Sequence, residues 1–111
     1  MTTVFGKIIA GELPAEKVFE NEHIVAIKDI SPKAPVHLLI IPKKEIANLQ
    51  SLQAEDLHLM GECIQVAQVL AERYGVADGY RLLVNNGENA GQTVFHLHFH
   101  LLGGKKLGVM C

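Results

Sequence analysis

Apolar and polar positions change rhythm several times along this chain, and each change predicts an element. Phe5, Ile8 and Ile9 have helical spacing with Gly11 close behind, which predicts one or two helical turns and a stop. Lys17–Glu20 and Ile24–Lys28 are short apolar runs separated by Asn21-Glu22, the pattern of a hairpin. Asp29-Ile30-Ser31-Pro32-Lys33-Ala34-Pro35 predicts a loop, because proline fixes its own φ and disfavours helix in the residue before it. Residues 36–41 are almost continuously apolar and rich in β-branched side chains between Pro35 and Pro42, as expected of a central strand buried on both faces.

The period then lengthens. Leu57, Met60, Ile64, Ala67, Leu70 and Tyr74 recur at steps of three and four among acids and glutamines. Residues 54–74 therefore predict an amphipathic helix of about five to six turns, with Gly75 at its end and Ser51 as a candidate N-cap. Cys63 falls on its apolar side and predicts buried packing. Residues 80–84 read as a strand, residues 85–91 as a polar turn with two glycines, and residues 94–102 as a last strand ended by Gly103-Gly104. Five strands, one long helix and one short one make an α+β domain with an antiparallel sheet. No repeat, linker or block of like charge divides the chain, so residues 1–111 read as a single domain.

Composition narrows the function. The chain has 111 residues, 49% of them hydrophobic, and Lys plus Arg total 10 against 12 Asp plus Glu for a net charge of −2. That balance offers no field for a nucleic-acid backbone. No apolar run approaches the roughly 20 residues of a membrane-spanning helix, and no basic segment with a long apolar core opens the chain, so a cytoplasmic protein is expected. Two cysteines, Cys63 and Cys111, cannot build a disulfide framework or a four-cysteine zinc site.

The distinctive feature is the string VFHLHFHLL at residues 94–102. In a strand, His96, His98 and His100 share one face about 7 Å apart, while Leu97, Phe99 and Leu101 face a core. With six histidines in 111 residues, chance supplies only about 0.02 such strings. One reading is a metal site, with His37 or water completing three imidazoles, although neighbours on a flat strand converge poorly on one ion. A second is structural capping of backbone groups at a sheet end. The third is nucleophilic catalysis, in which a neutral ring nitrogen faces an electrophile, the other nitrogen is held by an acceptor, and neighbouring donors stabilise the developing charge. Gly91-Gln92-Thr93, just upstream, adds side-chain hydrogen-bonding groups and a compact backbone suited to phosphate oxygens.

The string GQTVFHLHFHLLGG resembles the signature of the histidine triad (HIT) superfamily, and Gly91-Gln92 with Gly103-Gly104-Lys105 resembles its Hint branch, the nucleoside phosphoramidases. VFGKIIAGELPA, KDISPKAPVHLLIIPKK and DGYRLLVNNG are similar to Hint segments in the same order, so the likeness covers most of the chain. It implies a HIT fold, a homodimer with a ten-stranded sheet, and hydrolysis of the P–N bond of purine nucleoside 5′-phosphoramidates, without a required cofactor or metal. His98 would be the nucleophile, His37 would help hold the phosphate, His100 would face His37, and His96 would flank the scissile bond. Asn85, Gln92 and Thr93 would meet phosphate and leaving group, and Asp29 the ribose hydroxyls. Phe5, Ile8, Ile27 and Ile30 would form the base slot; by spacing alone these four read as core. His23 and His58 match nothing catalytic and read as surface residues. The short tail after Leu107 implies an open leaving-group side. The alternatives are a Fhit-like dinucleoside polyphosphate hydrolase and a nucleotide- or zinc-binding regulatory module.

Overall fold

In the computed structural model, which describes residues 3–110, the elements run α1 (Val4–Ile9), β1 (Lys17–Glu20), β2 (Ile24–Lys28), β3 (Val36–Pro42), α2 (Leu57–Arg73), β4 (Tyr80–Val84) and β5 (Phe99–Gly103). Short 3₁₀ turns lie at Leu49–Ser51, Ala54–Asp56 and Glu88–Ala90. Cys111 lies outside the described residues. The strands form one antiparallel sheet in the order β1-β2-β3-β5-β4. The predicted hairpin is present, its turn closed by Asn21 Oδ1, which accepts from the backbone N–H of His23 and Ile24 at 3.0 and 2.8 Å.

Period-two alternation divides the apolar residues between two faces of the sheet. Ile24, Ala26, Leu38, Ile40, Phe99 and Leu101 pack with Leu59, Cys63, Val66, Ala67 and Leu70 of α2. Val25, Ile27, Leu39 and Ile41 face the other way, against Phe5 and Ile8 of α1. β3 is thus buried on both faces, as its composition predicts. Short α1 covers only part of the second face, and the uncovered part carries the histidines. Inside the first layer Cys63 is fully enclosed, and burial pushes its thiol up to about 12, so it stays protonated and inert. No helix among the described residues is long and apolar enough to cross a membrane.

Two elements differ from expectation. The long helix begins at Leu57 rather than residue 54, since residues 54–56 form a separate 3₁₀ turn. Ser51 does not cap it. Its N–H and hydroxyl exchange bonds with Asn48, at 3.0 and 3.2 Å, to close the preceding 3₁₀ turn. The buried stripe is also rotated: Leu59, Cys63, Val66, Ala67, Leu70 and Ala71 are buried, while Leu57 and Ile64 are exposed. Adjacent rows of this helix are both apolar, so spacing alone does not choose between them. At the other end Gly75, at φ +72°, supports the left-handed cap in which Val76 N–H reaches Ala71 O at 2.9 Å.

The last strand is shorter than expected, covering Phe99–Gly103 rather than residues 94–102. Upstream, the chain leaves the sheet and bonds to the segment after β3. Leu97 N–H donates to Ile46 O at 2.7 Å, and the Gln92 amide donates to Ala47 O at 2.7 Å. These bonds replace a strand ladder over the first part of the triad.

Candidate active site

Three of the four candidate histidines gather where β3 and β5 run side by side. Leu39 is paired with His100 and His37 with Leu102, so the two imidazoles are diagonal neighbours on one face. His37 Nε2 lies 3.0 Å from His100 Nδ1, and the His98 and His100 ring centroids are 5.0 Å apart, closer than an ideal strand spacing. Phe5 brings its ring edge-on to His98 at 4.9 Å and to His96 at 6.3 Å.

The hydrogen-bond partners fix the tautomers, because a carbonyl can only accept and a backbone N–H can only donate. His98 Nδ1 lies 2.8 Å from the carbonyl of His96, so Nδ1 carries the proton and Nε2 keeps its lone pair. His37 Nδ1 accepts from the Lys33 N–H at 3.0 Å, which puts its proton on Nε2, toward His100 Nδ1. Asp29 Oδ2 stands 3.3 Å from the same Nε2. His96 Nε2 donates to Pro42 O at 2.8 Å, and its Nδ1 accepts from the Thr3 hydroxyl at 3.2 Å. Thr3 Oγ1 in turn accepts the Gly6 N–H at 2.9 Å, capping α1.

Burial keeps all four rings neutral. Desolvation is the largest influence on His37, His96 and His98 and lowers each below the ordinary histidine value of 6.5. His100 is lowered furthest, to about 4, by desolvation first and then by His98 and His37. The His37–Asp29 contact is therefore a hydrogen bond to a neutral ring rather than an ion pair.

Two cavities meet at this cluster. One, of about 430 Å³, is walled by Phe5, Ile8, Ile27, Ile30 and Leu39, with His98 in its lining. The other, of about 650 Å³, is lined by His37, Asn85, Lys33, Arg81 and Lys105 among others. Asp29, Thr93 and His100 line both and mark the junction. The sequence-derived base-slot residues thus wall one apolar space, although Phe5, Ile8 and Ile27 are core residues as well and Ile30 is 99% exposed at the lip. Asp29 also does turn work, its Oδ1 accepting the Ser31 N–H at 2.7 Å.

Two predicted site residues stand back from the cavities. Gln92 is buried, its Oε1 accepting from Gly87 N–H at 2.8 Å and its amide donating to Ala47 O and Val94 O at 2.7 and 3.1 Å. With those groups engaged it braces the turn and lines neither cavity. His96 is wholly enclosed and also lines neither, its two ring nitrogens engaged by Pro42 O and the Thr3 hydroxyl.

Sequence reasoning missed Thr3, the Lys33 N–H, Arg81 and Lys105. A threonine just ahead of the Val4–Ile9 pattern is an N-cap signal that could have found Thr3. The Lys33 N–H meets His37 Nδ1 through the turn of the preceding loop, Arg81 reaches the site through the pairing of β4 with β5, and Lys105 follows just after β5, positions that no local pattern marks as part of a site.

As a metal cluster, Asp29, His37 and His100 offer three donor atoms within 4.8 Å of one another. His37 argues against that use. Ligation through Nε2 needs the proton on Nδ1, where it would oppose the Lys33 N–H. What the arrangement suits is an exposed-lone-pair imidazole, His98, beside an apolar slot and a junction lined by an acid and a hydroxyl.

A site of that kind, on a five-stranded sheet backed by one long helix, defines a class of imidazole-centred proteins, and comparison gives the class its name. The HIT domain family model matches residues 10–107, and the chain belongs to that family. It is 56% identical to a HIT-like protein of Chlamydia pneumoniae over 97% of this chain and 98% of that one. It is 46% identical to the purine nucleoside phosphoramidase of Escherichia coli K12, over 97% and 92% respectively. Among solved structures, the HIT family hydrolase of Clostridium thermocellum superposes with a TM-score of 0.94 at 49% identity, covering 98% of this chain and 96% of that one.

Proposed function

We propose that this protein is a nucleoside phosphoramidase, hydrolysing the P–N bond of purine nucleoside 5′-phosphoramidates. The observation that carries the reading is the orientation of His98: its Nδ1–H is tied to the His96 carbonyl at 2.8 Å, which frees Nε2 as a lone pair in a cavity walled by Phe5, Ile8 and Ile27. The likeness to the Escherichia coli phosphoramidase supports it. The purine occupies the apolar slot, with Asp29 at the junction to take the ribose hydroxyls. His98 Nε2 attacks the α-phosphorus, the P–N bond breaks, and the amine leaves with a proton taken from solvent, which the attacking water of the second step returns. Water then attacks the nucleotidyl-histidine, releasing the nucleoside monophosphate and restoring the neutral ring. His37, His100, Asn85 and Thr93 line the adjoining cavity, where they would meet the phosphate. No step calls for a metal or cofactor, since neutral imidazoles and the Asn85 and Thr93 side chains handle the charge.

The trapping experiment is direct. Protein quenched during turnover of a phosphate-labelled adenosine phosphoramidate should carry label on His98; label on another residue, or none under burst conditions, overturns the mechanism. One observation favours a second substrate class. Lys33, Arg81 and Lys105 line the larger cavity, which suits an anionic leaving group such as a nucleotide, as in dinucleoside polyphosphate hydrolysis. Parallel assays of the phosphoramidate and diadenosine triphosphate decide between them.

The reading includes a homodimer. β4 is an edge strand with a half-buried side-chain row, and pairing of two such edges would make the ten-stranded sheet and satisfy both. Sedimentation of the purified protein at a single-chain mass would remove this part of the proposal.

A further inference from the structure

His23, from the β1–β2 turn, and His58 and Glu62, from the first turns of α2, form a second histidine cluster on the sheet's α2 side, away from the candidate active site. His58 and Glu62 are four residues apart on one helix face, with His58 Nε2 3.9 Å from Glu62 Oε2. His23 reaches across from the hairpin, its Nδ1 3.1 and 3.2 Å from the two Glu62 oxygens. Its ring stands edge-on to that of His58, with centroids 6.2 Å apart. Two imidazoles thus address one carboxylate from two elements.

We propose that His23, His58 and Glu62 bind a divalent transition-metal ion of the zinc type, with water completing the coordination. Three observations carry this. Histidine nitrogen and carboxylate oxygen are the donors zinc takes at about 2.0–2.2 Å, and two such donors on one ion lie about 3.3 Å apart; each imidazole already meets Glu62 near that spacing, at 3.1 and 3.9 Å, while the two rings, 6.2 Å apart, have to draw together. Next, His58 already has the outer-shell arrangement of a ligand: its Nδ1–H donates to Glu55 O at 2.9 Å, so Nε2 presents a lone pair toward Glu62. His23 can follow, because when Nδ1 gives up its proton to ligate, Nε2 takes one and faces the Glu22 carboxylate, 3.8 Å away. Finally, the surroundings favour a cation. Glu22 and Glu55 line a depression of about 410 Å³ shared with His23 and His58, and its two lysines are tied to acids, Lys43 to Glu20 at 2.8 Å and Lys44 to Asp56 at 2.6 Å.

The rings of His23 and His58 are exposed, so drawing their donors together disturbs no core packing. The bound ion would pin the β1–β2 turn to the start of α2. Its role is then structural or regulatory and separate from the phosphoramidase chemistry.

Zinc chloride titrated into the metal-free full-length protein, followed by calorimetry and by the ring-proton resonances of the histidines, tests the site. One equivalent should bind, shifting His23 and His58 and leaving His98 unmoved. Loss of an outer-shell partner alone weakens metal sites about 10–100-fold, so His23→Ala, His58→Ala and Glu62→Gln should each weaken binding at least that much. Phosphoramidate turnover should not change in these variants, and zinc should raise the melting temperature of the wild type only. An unchanged isotherm in the His23→Ala/His58→Ala double variant overturns the proposal, as does binding abolished only by His37→Asn, which would place the ion at the buried cluster.

Discussion

His98 and His58 share a local device and differ in everything around it. Each donates Nδ1–H to a carbonyl two or three residues back in the chain, at 2.8 and 2.9 Å, and each is left with Nε2 as a lone pair. His98 then faces an apolar cavity beside Phe5 and two more neutral rings, and desolvation holds it below the usual histidine value. His58 faces Glu62 on the open surface, beside a depression lined by Glu22, Glu55 and Asp56. On the proposed readings, the same tautomer lock serves a nucleophile where water and carboxylates are scarce, and a ligand where both are plentiful. Surroundings decide the chemistry, which is why six histidines in one sequence do not have one role.

The largest contrast comes from removing each lone pair. His98→Asn should lower turnover by at least about 10⁴-fold, the scale of losses when a nucleophile or its tautomer is removed, with nucleotide affinity retained. A variant within tenfold of the wild-type rate would end the claim that His98 is special among the six. Acid tests the same contrast through protonation. The folded-state values of His37, His96, His98 and His100 lie below 6.5, the last at about 4, so between those limits the unfolded chain binds more protons than the native one. Stability is then fully present above pH 6.5 and lost as pH falls toward 4, and turnover should fall over the same interval as His98 protonates. Urea melts and rate profiles from pH 4 to 8 check both, and a rate that rises on acidification would contradict the neutral-nucleophile assignment.

The buried cluster was partly legible because alternation and motif coincide there. Leu97, Phe99 and Leu101 enter the core and His98 and His100 face the other side, as a strand pattern requires. What did not show was the bend that removes residues 94–98 from the sheet, since the bonds that cause it run to Pro42, Ile46 and Ala47, about fifty residues earlier in the chain. His96 and Gln92 consequently lie behind the cavities, bonded to backbone groups. The α2 stripe was misplaced for a different reason: two neighbouring apolar rows compete on one helix, and only the sheet selects. Arg81 was invisible because strand pairing, not local spacing, brings it to the cavity, and Lys105, noted only as part of the glycine segment, reaches the cavity because β5 ends two residues before it.

His96 allows a sharper division between support and chemistry. His96→Phe keeps a buried ring but leaves Pro42 O without its donor, which should lower stability by about 1–3 kcal/mol. Because the carbonyl that fixes His98 belongs to the backbone, the folded variant should keep turnover within about an order of magnitude of wild type. A collapse in kcat at unchanged stability would restore His96 to a direct role. Thr3→Ala acts one step further out. It deletes the α1 cap and the hydroxyl that donates to His96 Nδ1, and the expected loss is about 1 kcal/mol in a denaturant melt.

The smallest effect belongs to the surface histidine, and its smallness is informative. His58 is held by one bond to Glu55 O and a 3.9 Å contact with Glu62, with 62% of its side chain exposed. Water replaces both interactions readily, so His58→Gln in metal-free buffer should change stability by no more than about 0.5 kcal/mol and leave turnover alone. The same tautomer lock in His98 sits in a desolvated pocket where nothing can replace the lone pair. If His58→Gln slowed turnover appreciably, the two histidine clusters would have to communicate through α2 and the sheet between them, and the separation drawn from their surroundings would fail.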